Sequence, residues 1–199
     1  MGTPKALLTD AAGRPRTLLS ARGLRDAGCS EVLVVLGASS DDADRLLAAH
    51  LTPDDAVSTL VAEDWGSGMG LSLRAGLDRL AAAAASVTGV LVTLVDLPDV
   101  GAPVHRRVLA EWRSTGAGSG ALLRATYAGS PGHPVLLGRA HWAPLAAELA
   151  GDTGAQRYLS RHTVREVSCD DLATGRDTDR PEDLAGDLPE QARGATGRA

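Results

Sequence analysis

Lys5 and Asp96 are the two side chains whose type and position best suit phosphate and metal chemistry. Lys5 is the only lysine among the 20 lysines and arginines of the 199-residue chain, and it lies close to Met1. A compact ammonium can follow a moving phosphate, whereas a guanidinium imposes a planar geometry on its partner. Lys5 is therefore a candidate phosphate contact, and the alternative is a lysine that survives by chance in an arginine-biased composition.

Asp96 comes directly after the most continuous apolar run of the sequence, residues 89–95, and is followed by Leu97 and Pro98. Ligands of open α/β sheets bind at the carboxyl ends of the strands. We therefore expect the Asp96 carboxylate at that edge, where it could hold a hard cation such as Mg²⁺. The alternative is a carboxylate that only caps a turn.

A second acidic segment, residues 177–183, contains Asp177 and Asp179 ahead of Pro181. Taken alone, it is more typical of a helix start, because proline suits the first turn and acidic residues suit the positive end of a helix. Its interest as a metal site depends on pairing with Asp96.

Three glycine-rich segments could bring backbone groups to a ligand. Residues 65–74 run from the end of a strand into a helix, where N–H groups could meet an anionic or polar ligand, although a flexible connection is equally compatible. Residues 116–120 precede a strand, which is the wrong order for dinucleotide binding. Residues 128–134 are predicted to form a loop that holds His133 between glycine and proline, and a structural or solvated histidine is the alternative.

Strand-like and helical segments alternate through the first 127 residues. The predicted strands are short and apolar, as is typical of strands buried on both faces of a parallel sheet: residues 31–37, 56–62, 89–96 and 120–127. Helices with apolar residues at three- and four-residue spacing are predicted at 17–27, 41–50, 70–85 and 103–115. The alternation predicts a mostly parallel sheet with helices on both faces.

The regular alternation ends after Tyr127. We predict a short strand at 135–137, helices near 141–150 and 156–162, and a strand at 164–167. The Gly-, Arg- and Ala-rich end of the chain is expected to be flexible. The expected organisation is one domain over residues 1–184 and a flexible tail over 185–199.

Composition excludes several classes of function. The net charge is −5 and no basic cluster occurs, which argues against a nucleic-acid partner. No apolar stretch is long enough for a membrane span and no signal peptide is recognisable. Cys29 and Cys169 lack metal or redox spacing and are typical of reduced thiols in a cytoplasmic protein. The GxxxxGK[ST] and GxSxG motifs are absent, which argues against P-loop NTPases and α/β-hydrolases.

Six short segments occur in the order in which a known family has them. Residues 1–5 resemble the end of its LAAGxSxRMGxPK signature, residues 68–77 its GMxxSLRAGL segment and residues 94–98 its LxDxP metal motif. Its GHP, GDxGA and DIDTPED segments are matched, in that order, by residues 132–134, 151–155 and 177–183. The chain therefore resembles the molybdenum cofactor nucleotidyltransferases, the MobA-like NTP transferases, and most closely their cytidylyltransferase-like branch, over nearly its whole length.

The resemblance implies a Rossmann-like, three-layer nucleotide-diphospho-sugar transferase fold. It also implies transfer of CMP or GMP from CTP or GTP to a molybdopterin-type phosphate acceptor, with release of pyrophosphate. Mg²⁺ is the implied cofactor, and a molybdoenzyme is a further candidate partner.

The same resemblance assigns roles to individual residues. The implied catalytic residues are Lys5 and Asp96. The implied metal ligands are Asp96, Asp179 and Asp177. The implied nucleotide contacts are Gly2, Lys5, Gly68, Met69, Ser72 and Leu73. The implied acceptor-side residues are His133 and Asp152.

The sequence departs from the family pattern at three places. The LAAGxSxR part, which forms the first strand and the nucleotide-binding loop in relatives, has no counterpart, and Met1 falls where the family has an internal methionine. A misassigned start codon or a truncated chain is the simplest expectation; otherwise the sheet lacks its central first strand and triphosphate binding suffers. Arg180 replaces the threonine that would cap a helix at Pro181, so capping could pass to Asp179. Thr178 replaces the isoleucine of the DID segment.

Two other classes of protein stay open. A nicotine-blue oxidoreductase-like group also resembles this stretch and would make the chain an NAD(P)H-dependent reductase. No strand-GxGxxG-helix unit with a downstream acidic residue is present, which argues against nicotinamide chemistry. A non-catalytic molybdenum cofactor-binding or delivery protein is the third hypothesis, which the missing loop favours.

Overall fold

The computed structural model describes residues 4–10, 12–83 and 86–177. Within these ranges the strands are β1 Val32–Leu36, β2 Val57–Val61, β3 Gly89–Val92, β4 Leu122–Tyr127, β5 Ser130–Gly138 and β6 Arg165–Ser168. The α-helices are α1 Arg16–Asp26, α2 Ser40–Ala48, α3 Met69–Ala83, α4 Ala102–Thr115, α5 Trp142–Glu148 and α6 Gln156–Leu159. Each predicted strand and helix is therefore present, with shifted ends.

The strands form two sheets in which most strands run in one direction. Strand β1 pairs with β2 in parallel, from Val32 opposite Val57 to Leu36 opposite Val61. The second sheet has the order β3-β5-β4-β6, with β5 antiparallel to both β3 and β4, and β4 parallel to β6. Strands β3, β4 and β6 thus share one direction and β5 is reversed. The prediction of a mostly parallel α/β fold is confirmed.

The two sheets are separate in the part of the chain that the structure describes. Strands β1 and β3 each have one edge without a described partner strand. Val32 of β1 and Leu91 of β3 nevertheless belong to the same apolar cluster, together with Val108 of α4. Packing of side chains, rather than strand pairing, therefore joins the β1-β2 unit to the rest of the core.

Helices cover both faces of the four-stranded sheet. Successive strand residues point to opposite faces: Leu123 and Leu136 pack with α1 and α4, whereas Leu122 and Leu137 pack with α3, α5 and α6. The result is the predicted three-layer arrangement. Among the residues described, none of the helices combines the length and the apolar character needed to cross a lipid bilayer.

Helix α4 shows how the sequence sets the helix ends. Pro103 lies in its first turn, where a missing N–H costs nothing, and Gly116 follows its end with a left-handed φ of 64°. Val104, Val108 and Leu109 form its buried stripe. The stripe packs the helix against α1 and the sheet and so orders the turn that precedes it.

Two predicted boundaries were wrong. Strand β3 ends at Val92, residues 93–94 have no regular structure, and a turn at residues 95–96 carries Asp96. Residues 130–134 belong to β5 and do not form a loop. Their pairing with β4 contains a register shift between Arg124 and Thr126, which is the kind of irregularity that accommodates proline in a strand.

His105 is a fully buried histidine on α4 that faces α1. Its ring lies 3.7 Å from the position of a Cβ on Gly23, and neither ring nitrogen has a hydrogen-bond partner of good geometry among the residues that the structure describes. Burial lowers the pKa of His105 below the ordinary value of 6.5, and the Gly23 carbonyl offsets only part of this effect. The folded protein therefore keeps His105 neutral.

The pKa of His105 predicts a loss of stability in mild acid. Below pH 6.5 the unfolded chain binds a proton at this site and the folded chain does not, so stability falls as the pH falls from 6.5 towards the folded-state pKa. Between pH 6.5 and 5.5 this effect is at most about 1 kcal/mol. Urea unfolding of wild type and His105→Leu at both pH values measures it, and the variant should lose less stability. An equal loss in the two proteins would contradict the assignment.

Candidate functional site

Lys5 and Asp96, the two residues singled out by their chemistry, contact each other. Lys5 Nζ donates to Asp96 Oδ2 at 2.5 Å across 91 residues of sequence. The side chain of Lys5 is 51 % exposed and that of Asp96 is 9 % exposed. The pair therefore combines a buried carboxylate with a cation that reaches it from the surface.

The lysine is positioned by a short segment that is anchored on α1 and α2. Lys5 begins a 3-10 turn, Lys5–Leu7, and Ala6 and Leu7 pack against the apolar cluster of α1, β1 and α2. Thr17 Oγ1 donates to the Ala6 carbonyl at 3.3 Å, which ties the turn to the first residues of α1. The ammonium thus extends from a segment with a defined place in the fold.

The turn that carries Asp96 is held by its own contacts. Leu97 packs against the cluster that includes α1 and α4, and the Val100 amide donates to the Leu97 carbonyl at 3.3 Å. Asp99 Oδ2 accepts hydrogen bonds from the Thr174 amide at 2.5 Å and from Thr174 Oγ1 at 2.7 Å. The chain after β6 therefore helps to fix the turn that follows β3.

The second oxygen of Asp96 suits a divalent cation. Asp96 Oδ1 is buried and has no hydrogen-bond partner among the described residues. An unsatisfied carboxylate oxygen in a protein interior is costly, and carboxylate oxygen is the ligand that Mg²⁺ and Mn²⁺ prefer. Because Mg²⁺ commonly binds through one or two carboxylates plus substrate phosphates, one such oxygen is a sufficient protein anchor.

The structure describes only one of the two other predicted metal ligands. Asp177 is exposed, and Asp179 lies outside the described residues, as does the predicted nucleotide contact Gly2. Within residues 4–10, 12–83 and 86–177, no three His, Cys, Asp or Glu side chains form a group able to hold a metal ion. The roles of Asp177, Asp179 and Gly2 remain predictions.

His133 lies beside the end of β3. Its Nδ1 is 3.3 Å from the carbonyl oxygen of Val92, and its own carbonyl accepts a hydrogen bond from the Tyr127 hydroxyl at 2.7 Å. Burial lowers the pKa of His133, while the Val92 carbonyl and the charge of Asp96 oppose this shift. The structure therefore brings His133 into the electrostatic field of Asp96 and favours its neutral form.

The predicted nucleotide segment and the GDxGA-like segment pack against each other. The Gly70 amide donates to the Gly151 carbonyl at 2.9 Å, and the Met69 amide donates to Asp152 Oδ1 at 3.3 Å. A Cβ on Gly68 would lie 2.2 Å from the carbonyl carbon of Gly151. Asp152 thus contacts the start of α3, and two amides expected to face a ligand already have partners in the protein.

Two further predicted nucleotide contacts lie one turn into α3. Ser72 is half-buried. Leu73 is half-buried and packs against the apolar cluster that contains Leu77. Part of Leu73 therefore serves the core, and its contact with a nucleotide remains a prediction.

Trp65 is an exposed aromatic side chain, close in sequence to the predicted nucleotide contacts, that the sequence analysis did not single out. The exposed large apolar side chains of the described residues are Val61 at 47 %, Trp65 at 47 % and Met69 at 55 %, all near the carboxyl end of β2. The Trp65 indole lies against Gly37 at the end of β1, where an added Cβ would be 3.3 Å from Cγ of the ring. The glycine-rich sequence of residues 65–74 predicted a role for backbone N–H groups. It did not predict the exposed indole, because the exposure of a side chain depends on tertiary packing.

Comparison with known proteins agrees with this fold. The family model of the MobA-like NTP transferase domain matches residues 1–167. The chain belongs to the MobA-like NTP transferase family, whose members carry out nucleotidyl transfer from nucleoside triphosphates. A search of curated protein sequences gave no match.

Solved structures show the same fold. Rv0371c from Mycobacterium tuberculosis H37Rv is similar with a TM-score of 0.70 and 27 % identity, over 93 % of this chain and 89 % of that chain. The complex of Rv0371c with manganese is similar with a TM-score of 0.69 and 27 % identity, over 92 % of this chain and 91 % of that chain. Molybdopterin-guanine dinucleotide biosynthesis protein A from Archaeoglobus fulgidus is similar with a TM-score of 0.60 and 15 % identity, over 92 % of this chain and 88 % of that chain. The last likeness shows the nucleotide-diphospho-sugar transferase fold alone.

Proposed function

We propose that this protein transfers CMP or GMP from a nucleoside triphosphate to a molybdopterin-type phosphate acceptor and releases pyrophosphate. The observation that carries the proposal is the contact between Lys5 and Asp96 at the carboxyl side of β3. A buried carboxylate, one oxygen of which has no partner in the described part of the chain, lies next to a half-exposed ammonium, and the two charges complement those of a cation-triphosphate complex.

The reaction needs no protein nucleophile. An oxygen of the acceptor phosphate attacks the α-phosphorus of the nucleotide, a new phosphorus–oxygen bond forms, and the bond to the β-phosphate breaks with its electron pair leaving on pyrophosphate. The protein contributes positioning and electrostatic stabilisation. A divalent cation held by Asp96 supplies charge neutralisation at the phosphates. Lys5 then donates hydrogen bonds to the departing pyrophosphate.

The neighbouring residues divide between the two substrates. Met69, with the exposed indole of Trp65 nearby in sequence, offers an apolar surface for the base, and Gly68 allows the backbone to turn there. His133 contacts the acceptor from the side of β3. Asp152 accepts a hydrogen bond from the Met69 amide at the start of α3. We assign it, with His133, to the part of the site that binds the acceptor.

Pyrophosphate release is the direct test. The protein is incubated with CTP, GTP, ATP or UTP, with Mg²⁺ or Mn²⁺, and with or without molybdopterin. We expect release with CTP or GTP that requires both the cation and the acceptor, and little release with ATP or UTP. NAD(P)H consumption is followed in parallel.

The other outcomes decide against the proposal. Oxidation of NAD(P)H without pyrophosphate release would indicate the reductase hypothesis. Binding of molybdopterin without turnover of any nucleotide would indicate a delivery protein. Turnover with an acceptor other than molybdopterin would keep nucleotidyl transfer and overturn only the acceptor.

A further inference from the structure

The contact between Lys5 and Asp96 places a cation of the protein itself where a metal ion would bind. Lys5 Nζ is 2.5 Å from Asp96 Oδ2, which is hydrogen-bonding distance for a charged pair. A divalent ion on the neighbouring Oδ1 would lie close to the ammonium, and the two positive charges would repel each other. The Asp96 side chain is too deeply buried for water to screen this repulsion well.

The type of residue at position 5 allows the ammonium to leave. Lysine is a point charge on a flexible stem, whereas arginine would hold a carboxylate with a planar, two-pronged contact. The Lys5 side chain is 51 % exposed, so it can swing away from Asp96 without opening the core. The remaining fixed positive charges of this chain are all arginine. The one lysine of the chain, whose ammonium can leave a carboxylate more easily than a guanidinium can, therefore lies beside the proposed metal ligand Asp96.

We propose that Lys5 acts as an internal stand-in for the divalent cation at Asp96 and is exchanged when a cation-nucleotide complex binds. Without nucleotide, the ammonium neutralises the buried carboxylate and competes with the metal. The triphosphate offers Lys5 new anionic partners, draws it from Asp96 Oδ2 and leaves the carboxylate to the cation. Cation and nucleotide consequently bind with positive coupling, and each raises the affinity of the other. The inference rests on the proposed function for the identity of the nucleotide.

Manganese binding without nucleotide tests the exchange. Free Mn²⁺ is measured by electron paramagnetic resonance during titration of wild type, Lys5→Met and Lys5→Arg. Lys5→Met should bind Mn²⁺ roughly 5-fold more tightly than wild type. This factor corresponds to the upper end of the interaction energies measured for ion pairs that have an exposed partner. Lys5→Arg should bind it no more tightly than wild type. With CTP or GTP present, the advantage of Lys5→Met should shrink or reverse, because the triphosphate loses its ammonium contact.

Arg79→Met is the matched control. Arg79 is exposed on α3, and its replacement removes the same charge without touching the Lys5–Asp96 pair. It should bind Mn²⁺ as wild type does. The double variant Asp96→Asn, Lys5→Met should lose the tighter Mn²⁺ binding of Lys5→Met. This loss would assign the Mn²⁺ site to the Asp96 carboxylate.

The outcomes separate the exchange from the catalytic proposal. A folded Lys5→Met protein that binds Mn²⁺ no better than wild type overturns the exchange even when pyrophosphate release is observed. Tighter Mn²⁺ binding by Lys5→Met without any pyrophosphate release supports the exchange and overturns the proposed function. If Lys5→Met does not fold, tighter binding of Mn²⁺ to Lys5→Arg than to wild type overturns the exchange.

Discussion

Asp96→Asn is expected to lower the rate of nucleotidyl transfer by at least about 100-fold, the range for loss of a group that stabilises charge in the transition state. Asparagine has the same shape and can still accept a hydrogen bond from Lys5. It lacks the negative charge that holds a divalent cation and balances the ammonium 2.5 Å away. Initial rates of pyrophosphate release at saturating nucleotide measure the effect.

The control for this variant is Asp54→Asn. Asp54 is an exposed carboxylate in the short turn before β2, so its replacement changes net charge equally and leaves the site intact. It should retain the wild-type rate. A folded Asp96→Asn protein with near wild-type turnover would remove the Asp96 carboxylate from the mechanism. Circular dichroism and thermal unfolding establish that the variant is folded.

Gly68→Ala is expected to destabilise the protein by about 3 kcal/mol, from overpacking combined with backbone strain. Gly68 has φ of 123° and ψ of 160°, a conformation that is open almost only to glycine. An added Cβ would lie 2.2 Å from the carbonyl carbon and 2.4 Å from the oxygen of Gly151. Both atoms are backbone, so relief requires separating the start of α3 from residues 151–152.

Urea unfolding compares Gly68→Ala with Gly66→Ala. Gly66 lies two residues earlier in the same segment, and a Cβ there meets no atom of the described residues within 4 Å. The control should change stability by less than about 0.5 kcal/mol, as is usual for surface substitutions. Gly68→Ala should also raise the KM for nucleotide, because the substitution displaces the start of α3, where the proposed nucleotide contact Met69 lies. Equal stability of the two variants would show that the close approach of Gly68 to Gly151 is not required.

The helices and strands could be predicted because their signals are local. Apolar spacing within α4 and the continuous apolar run of β1 depend on neighbours a few residues away. The end of β3 was missed because Leu94 and Val95 are apolar but lie beyond the strand, Val95 in a turn, and composition does not separate a strand from a half-buried connection. Likewise, Gly132 and Pro134 predicted a loop, but they lie within β5, between residues on either side that pair with β4.

The candidate site was predicted in part. The type and position of Lys5 and Asp96 made them candidates for phosphate and metal roles, with a chance lysine and a turn-capping carboxylate as the alternatives, and the family resemblance favoured the former. Their direct contact could not be derived, because it spans 91 residues and depends on how the first turn packs on α1 and α2. The contact of Asp152 with α3 is of the same kind.

Local sequence was thus enough for the class of fold, for most helices and strands, and for the chemical character of the two central charged residues. Tertiary packing alone decided that Lys5 contacts Asp96, that Asp96 Oδ1 has no hydrogen-bond partner within residues 4–10, 12–83 and 86–177, and that the Trp65 indole is exposed. The physical reason is that periodicity and turn chemistry act over a few residues. Burial, pairing of distant charges and competition for a hydrogen-bond acceptor arise only when segments far apart in the chain are brought together.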